Sequence, residues 1–424
     1  MAVGQKGAIP SYGRVFSRRQ FICGGLGGVS LLPWWRVLEV ESIRAQEAVP
    51  SSAEEPRRRL RELGIVIGGY PPGEYNAITD VEGVRVGHTT IIRNLVDASG
   101  KEKRIRTGVT AILPHGGNIY REHLFAAFFN QNGWGEMTGV VPLLEEGRLK
   151  TPIFLTGTYN VGLVYDAAVS HLLKECPAIM EERSIPSPVV AECFDGYLSD
   201  YQERMVTEAD VLAAIGRAKE GSVEEGGVGG GTGMTAFGFK GGIGTSSRRL
   251  PREKGGYTVG VLVMSNTAAR EQLRVDGVPV GREMGEAENY VPGGAKSIIL
   301  IAATDAPLFS FQLKKIAKRV VMGLAQTGAT SNTGSGDLVL AFSTGNRLPS
   351  RAYSPRRQVT AVNDELITPL YHAAVEATQE AILNSLTMAR TMEGREGNIA
   401  PAIPLDRLVQ IMKRYYRLEV RRDD

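Results

Sequence analysis

Ser297 places a hydroxyl group where a loop meets a strand. The Pro/Gly-rich segment 291–295 precedes it, and the β-branched, apolar run 298–303 that follows is typical of a buried strand. Asp305 and Pro307 then predict the start of a helix. A serine at a strand edge is usually structural, but the chemistry open to an exposed hydroxyl at such a junction is nucleophilic attack.

Three further polar side chains stand at the ends of predicted strands. Asn266 ends the alternating strand 257–266, where asparagine is usually a turn former, although its amide is also a good hydrogen-bond donor. Ser335 and Asp337 belong to a loop of small residues that leads into the strand 338–344. Such a loop can be a simple turn, so these residue types alone do not establish a site.

Two carboxylates follow the predicted strand 189–191. Glu192 and Asp195 lie beside aromatic residues in what should be a loop. Acidic groups on loops are usually only solvated. If this loop lines a pocket, however, either carboxylate could pair with a substrate ammonium, because an opposite charge within about 4 to 6 Å stabilises the charged form.

Several long segments resemble one enzyme family, the L-aminopeptidase D-amidase/D-esterase and β-peptidyl aminopeptidase family of self-processing serine aminopeptidases. The resemblance covers about residues 60 to 415 and includes the Thr-Asp-Ala-Pro corner after Ser297. The segments that carry it are 80–90, 133–139, 192–198, 226–248, 273–282 and 296–307.

The resemblance implies a role for each candidate residue. The chain would cut itself between Lys296 and Ser297, and the freed Ser297 would be the nucleophile. Its own α-amine, with an ordinary pKa of about 7.7 to 8.0, would be the base. Asn266 would stabilise the oxyanion, while Ser335 and Asp337 would stand next to the nucleophile. No metal or cofactor is needed.

The same resemblance implies the fold and the division of the chain. We expect an α/β layered fold, a four-layer α-β-β-α sandwich of the N-terminal-nucleophile type, in which the fragments 60–296 and 297–424 stay associated. Substrates would be short peptides, amides or esters that release a small N-terminal residue, and a homo-oligomer is expected. Lys296 and Phe194 depart from the family, which carries a small or amide residue and a Tyr or Trp at these positions.

The pattern of apolar residues predicts sheets and helices in layers. Short apolar or alternating runs bounded by Gly, Pro and Asn predict strands, and helical periodicity predicts helices. Besides those already named, the predicted strands are 65–69, 84–90, 108–113 and 153–155, and the predicted helices are 163–173, 207–218, 309–325 and 367–391.

Two other function classes are disfavoured. The glycine run 226–234 lacks the Gly-Lys-Ser/Thr spacing of a phosphate loop, so it indicates close backbone packing rather than nucleotide binding. A formal net charge of +3 comes partly from an arginine-rich leader and tail, so no basic face indicates nucleic acid.

The leader predicts export. Arg18 and Arg19 precede a short apolar segment, the pattern of a twin-arginine signal, within residues 1–45. Residues 46–59 are predicted to be a linker. We therefore expect the twin-arginine export machinery as a partner and the periplasm as the location, with two free thiols at Cys176 and Cys193.

Two alternatives to the aminopeptidase remain open on the sequence. An ornithine acetyltransferase-like acyltransferase shares the self-cleaving architecture but carries threonine as its nucleophile. A non-catalytic periplasmic binding protein would remain one uncut chain.

Overall fold

In the computed structural model, two β-sheets stack face to face and α-helices cover the outer face of each sheet. The structure describes residues 56–177, 179, 185–285, 291, 296–351 and 355–415. The predicted leader, with Arg18 and Arg19, lies outside these residues. None of the helices in the described ranges combines the length and apolar character needed to cross a membrane.

The elements are numbered in chain order within the described residues. The strands are β1 (Arg85–Val96), β2 (Glu102–Leu113), β3 (Glu122–Gly133), β4 (Arg148–Leu149), β5 (Ile153–Gly157), β6 (Val189–Cys193), β7 (Thr235–Ala236), β8 (Phe239–Lys240), β9 (Gly242–Arg249), β10 (Thr258–Asn266), β11 (Ser297–Thr304), β12 (Gly336–Pro349), β13 (Met392–Glu393) and β14 (Ile399–Ala400). The α-helices are α1 (Val140–Glu146), α2 (Val161–Glu175), α3 (Glu208–Gly216), α4 (Val280–Met284), α5 (Ser310–Gln326), α6 (Thr368–Thr387) and α7 (Leu405–Arg414).

Strand β11 is the centre of the larger sheet. The smaller sheet has the order β1-β2-β5-β6, and the larger has the order β4-β3-β12-β11-β10-β9. β11 pairs antiparallel with β10 and parallel with β12. β12 in turn pairs antiparallel with β3. The strand that begins at Ser297 is therefore held on both sides.

The period of two along β11 divides its side chains between two interfaces. Ile298 and Leu300 pack toward the helical layer formed by α5 and α6. Ile299 and Ile301 pack toward the smaller sheet, whose inner face includes Leu155. A third cluster joins the outer face of that sheet to α2 and α3. Because successive side chains of a strand point to opposite faces, one apolar run serves both interfaces.

Most predicted elements are confirmed, although their bounds differ by several residues and the predicted helix 367–391 is shorter in the structure. The runs at 84–90 and 108–113 extend into the 12-residue strands β1 and β2. The predicted strand 65–69 is wrong, because this segment is irregular, ends in a bend and joins no ladder, although its isoleucines are buried. The sequence patterns also missed β3, whose second half is largely exposed and therefore lacks a clear apolar signal.

The folded body begins before residue 60. Arg57 Nε donates to the carbonyl of Thr387 at 2.8 Å, at the end of α6. Arg59 forms an ion pair with Glu225 at 2.7 Å and donates to the carbonyl of Thr245. The last residues of the predicted linker are therefore fixed against the helical layer.

Candidate active site

Ser297 lies opposite Asn266 at one end of the β10–β11 ladder. It is the first residue of β11, Asn266 is the last of β10, and the two are paired in the register. The amide of Gly336, at the start of β12, donates to Ser297 Oγ at 3.1 Å. Ser297 is 6% exposed. Three neighbouring strands therefore bring their ends to one hydroxyl group.

The side chain of Asn266 is held at both ends. The amide of Thr235 donates to Asn266 Oδ1 at 2.9 Å, and Asn266 Nδ2 donates to the carbonyl of Phe194 at 3.1 Å. These two bonds fix which end of the amide group carries the N–H donors. One N–H is used by the carbonyl of Phe194, and no acceptor among the described residues takes the second N–H.

Ser335 and Asp337 form a buried pair beside Ser297. Ser335 Oγ donates to Asp337 Oδ1 at 2.5 Å. Asp337 faces Ile298 in the parallel ladder, one residue from the serine. Burial raises the pKa of the Asp337 carboxyl, while neighbouring serine hydroxyls and the amide of Ile298 act in the opposite direction. The i, i+2 spacing puts both side chains on the same face of the chain.

Lys296 extends its side chain into the protein rather than into solvent. Its Nζ donates to Thr235 Oγ1 at 2.8 Å, and the residue is only 7% exposed. Burial lowers the pKa of this amine to about 8. Among the described residues no carboxylate forms an ion pair with it. The side chain that precedes Ser297 thus ends on Thr235, the residue whose amide also donates to Asn266.

Glu192 lies close to the start of β12, and each oxygen of its carboxylate already accepts a hydrogen bond. Glu192 Oε1 accepts from the amide of Glu136 at 3.0 Å, and Oε2 accepts from the hydroxyl of Thr158. The residue is 5% exposed, and burial raises the pKa of its carboxyl. A Cβ added to Gly135 would lie 3.3 Å from Glu192 Oε1 and 3.1 Å from Gly336 Cα. Glu192 therefore supports the wall of the site more than it offers a free charge.

Glu136 is a residue that the sequence reasoning missed. It lies on the exposed side of the Gly133–Gly139 segment, and its carboxylate is near enough to raise the pKa of Glu192 further. Its place in a segment already identified as family-like was the available signal. Glu136 is thus the exposed carboxylate beside the site.

Asp195 is buried away from solvent. It is 1% exposed, and burial raises the pKa of its carboxyl to about 6. Gly157 and Gly233 pack directly over it, because a Cβ on either would come within 3 Å of its side chain. Asp195 therefore does not present its carboxylate at the surface near Ser297.

Exposed aromatic rings lie beside these carboxylates. Phe194 contacts Tyr201 edge-to-face with ring centroids 4.9 Å apart, and Tyr159 lies 5.2 Å from Tyr201. Trp134 is 73% exposed, and its amide donates to the carbonyl of Ser335. Apolar surface is therefore available for a substrate. In the described part of the chain, no group of three or more His, Cys, Asp or Glu side chains has the placement to hold a metal ion.

Comparison with known proteins agrees with this arrangement. The model of peptidase family S58 matches residues 76–400. The chain belongs to peptidase family S58. A β-peptidyl aminopeptidase, BapA of Sphingosinicella microcystinivorans, is 41% identical over 386 residues, which cover 87% of this chain and 94% of that protein. Membership in S58 makes the chain an aminopeptidase, a hydrolase, as the sequence predicted.

Solved structures confirm the predicted fold class for this S58 member. The L-aminopeptidase D-Ala-esterase/amidase of Ochrobactrum anthropi, described as a variant of the Ntn hydrolase fold, superposes with a TM-score of 0.79 at 39% identity, covering 85% of this chain and 99% of that one. A β-aminopeptidase from Burkholderia sp. gives 0.78 at 43% identity, covering 84% and 99%.

Proposed function

We propose that this chain is a self-processing serine aminopeptidase whose nucleophile is Ser297, freed as the N-terminus of the fragment 297–424. The observation that carries the proposal is that the ends of β10 and β12 place Asn266, the amide of Gly336 and the Ser335–Asp337 pair next to Ser297. This set of donors and acceptors suits acyl transfer.

Self-cleavage would proceed through an ester. Ser297 Oγ attacks the carbonyl carbon of Lys296, and the oxyanion that forms is stabilised by the N–H of Asn266. The C–N bond breaks and the hydroxyl proton is transferred to the departing nitrogen, which becomes the α-amine of Ser297. Water then hydrolyses the ester, leaving a carboxylate on Lys296 and a free hydroxyl on Ser297.

The freed residue would carry both nucleophile and base. The α-amine takes the proton of the Ser297 hydroxyl as Oγ attacks the carbonyl of the substrate's N-terminal residue. The leaving amine receives that proton, and water releases the acyl group from Oγ. Asp337, bonded to Ser335, would orient the ammonium form of the α-amine between these steps.

The two fragments would stay associated after the cut. β11 and β12, from the fragment 297–424, lie between β10 and β3, which belong to the other fragment. Separation would break two strand ladders and open the buried core. The non-catalytic binding protein and the acyltransferase are not favoured by any feature of the site.

Recognition of a free N-terminus gives the first expected result. Glu136 is the exposed carboxylate beside the site, whereas both oxygens of Glu192 are occupied. N-acetylation of alanine amide should lower kcat/KM about a hundredfold, because the charge pair between the substrate ammonium and Glu136 is lost. Glu136→Gln should shrink that penalty to about tenfold or less. Steady-state kinetics on both amides measures the two ratios.

A matched control keeps this test specific. Glu145, exposed on α1, offers a carboxylate outside the site, so Glu145→Gln should leave the acetylation penalty intact. Equal turnover of the free and acetylated amides by the wild-type protein would contradict an aminopeptidase and indicate a general amidase.

Export through the twin-arginine pathway is a further proposal, supported by the arginine pair ahead of the apolar leader. Changing Arg18 and Arg19 together to lysine should leave folded precursor in the cytoplasm. Cell fractionation and immunoblotting measure the distribution. Unaltered periplasmic accumulation of the double variant would refute this interpretation of the leader.

A further inference from the structure

The buried side chain of Lys296 fills a defined space next to the nucleophile. Its aliphatic stem is shielded from solvent, and its amine ends on the hydroxyl of Thr235 at 2.8 Å. Thr235 also anchors Asn266: its backbone amide donates to Asn266 Oδ1 at 2.9 Å, and its hydroxyl makes only a longer contact of 3.5 Å with the same oxygen. The floor of this space is therefore a threonine hydroxyl that can be changed without removing the Asn266 anchor.

Two reactions require the same placement of a carbonyl group. In self-cleavage Ser297 Oγ attacks the carbonyl of Lys296, and in peptide hydrolysis it attacks the carbonyl of the substrate's N-terminal residue. Both carbonyl oxygens must approach the N–H of Asn266. The Cα attached to that carbonyl is then confined to a similar position in both reactions, and so is the direction of its side chain.

We infer that the space filled by the Lys296 side chain is the subsite for the side chain of the substrate's N-terminal residue, and that it selects long, unbranched side chains such as those of lysine and norleucine. This inference rests on the proposed function, since it assumes that Ser297 attacks both carbonyls. The family resemblance instead predicted that the substrate's N-terminal residue is small.

Length selection follows from apolar burial. A buried methylene group contributes roughly fourfold to binding, and norleucine has three more side-chain carbons than alanine. Norleucine p-nitroanilide should therefore exceed alanine p-nitroanilide in kcat/KM by at least about tenfold. An alanine side chain would leave most of the space occupied by Lys296 empty.

The Thr235 hydroxyl should distinguish lysine from norleucine. Norleucine has the same four-carbon stem as lysine but lacks the terminal amine, so only lysine can donate to Thr235 Oγ1 as Lys296 does. Thr235→Val removes the acceptor at nearly constant volume, so the lysine-to-norleucine ratio of kcat/KM should fall about tenfold. Thr235→Ser keeps the hydroxyl and should retain the wild-type ratio.

The experiment measures kcat/KM of purified, cut protein for the p-nitroanilides of alanine, norleucine and lysine, in the wild type and both Thr235 variants. Denaturing gels give the cut fraction of each preparation, which also reports whether a variant has folded. We expect the wild type to prefer norleucine over alanine. The lysine-to-norleucine ratio of kcat/KM should fall in Thr235→Val and stay at the wild-type value in Thr235→Ser.

Two outcomes would overturn the inference, and they are separable from failure of the proposed function. The inference is wrong if cut wild-type protein hydrolyses alanine p-nitroanilide as fast as norleucine p-nitroanilide. It is also wrong if Thr235→Val leaves the lysine-to-norleucine ratio of kcat/KM unchanged. In both cases the subsite lies elsewhere, and the proposed aminopeptidase function is unaffected. If the protein is uncut, or cut and inactive on all three substrates, the proposed function fails and this inference fails with it.

Discussion

Replacing Ser297 by alanine is expected to leave one uncut chain with no measurable amidase activity. The change removes the hydroxyl oxygen that accepts from the amide of Gly336 and that would attack the carbonyl, so neither the ester of self-cleavage nor the acyl-enzyme can form. It also prevents release of the α-amine that would act as base. We expect the wild type to separate under denaturing conditions into two fragments, the smaller beginning Ser-Ile-Ile-Leu, as N-terminal sequencing would establish.

Ser297→Cys is the matched control, because a thiol can attack the same carbonyl. It should be cut, at least slowly, whereas Ser297→Ala should stay intact although it folds. Circular dichroism and the thermal midpoint check the folding of both variants. Cleavage of Ser297→Ala before residue 297, or an active wild-type preparation that runs as one intact chain, would contradict the mechanism.

Asn266→Ala is expected to lower kcat by about a hundredfold to a thousandfold, the usual effect of losing one oxyanion donor. KM should change much less, because the donor acts on charge that develops in the transition state. Self-cleavage should slow as well, since it passes through an oxyanion at the same place. Time courses on gels and steady-state kinetics measure the two effects separately.

Asn346 is a matched control for Asn266, because its side chain makes the same two kinds of hydrogen bond to the backbone. Like Asn266 it accepts from a backbone amide and donates to a backbone carbonyl, in this case those of Thr360, but it lies in the exposed part of β12. Asn346→Ala should leave kcat within about twofold, as expected for a surface change away from the site. Equal losses in the two variants would assign the effect of Asn266 to general destabilisation.

The sequence was most informative where a signal is local. The apolar run after Ser297 predicted β11, and its period of two agrees with the two interfaces that it serves. The family resemblance placed Ser335 and Asp337 next to Ser297, and the structure finds these two side chains hydrogen-bonded to each other. The pattern of apolar residues predicted sheets and helices in layers, whereas the four-layer order was predicted from the family resemblance.

The features that sequence reasoning missed depend on contacts between distant residues. Glu192 was predicted to be a free carboxylate, but Thr158 and the amide of Glu136 occupy its oxygens. No pattern within the 192–198 segment could indicate these partners. In the same way, the contact between Lys296 and Thr235 joins residues 61 positions apart. The segment 65–69 is apolar because it is buried against other layers, without joining a sheet.

The order of strands in the larger sheet would determine how long a chain cut before Ser297 stays folded. Because β11 and β12 lie between β10 and β3, cutting the chain removes the covalent link between fragments while leaving every ladder intact. Once unfolded, however, two separate chains must meet and interleave again before the sheet can re-form. Durability would then be set by the rate of opening rather than by an equilibrium, so the inactivation half-life, not a reversible midpoint, is the meaningful measure of its stability.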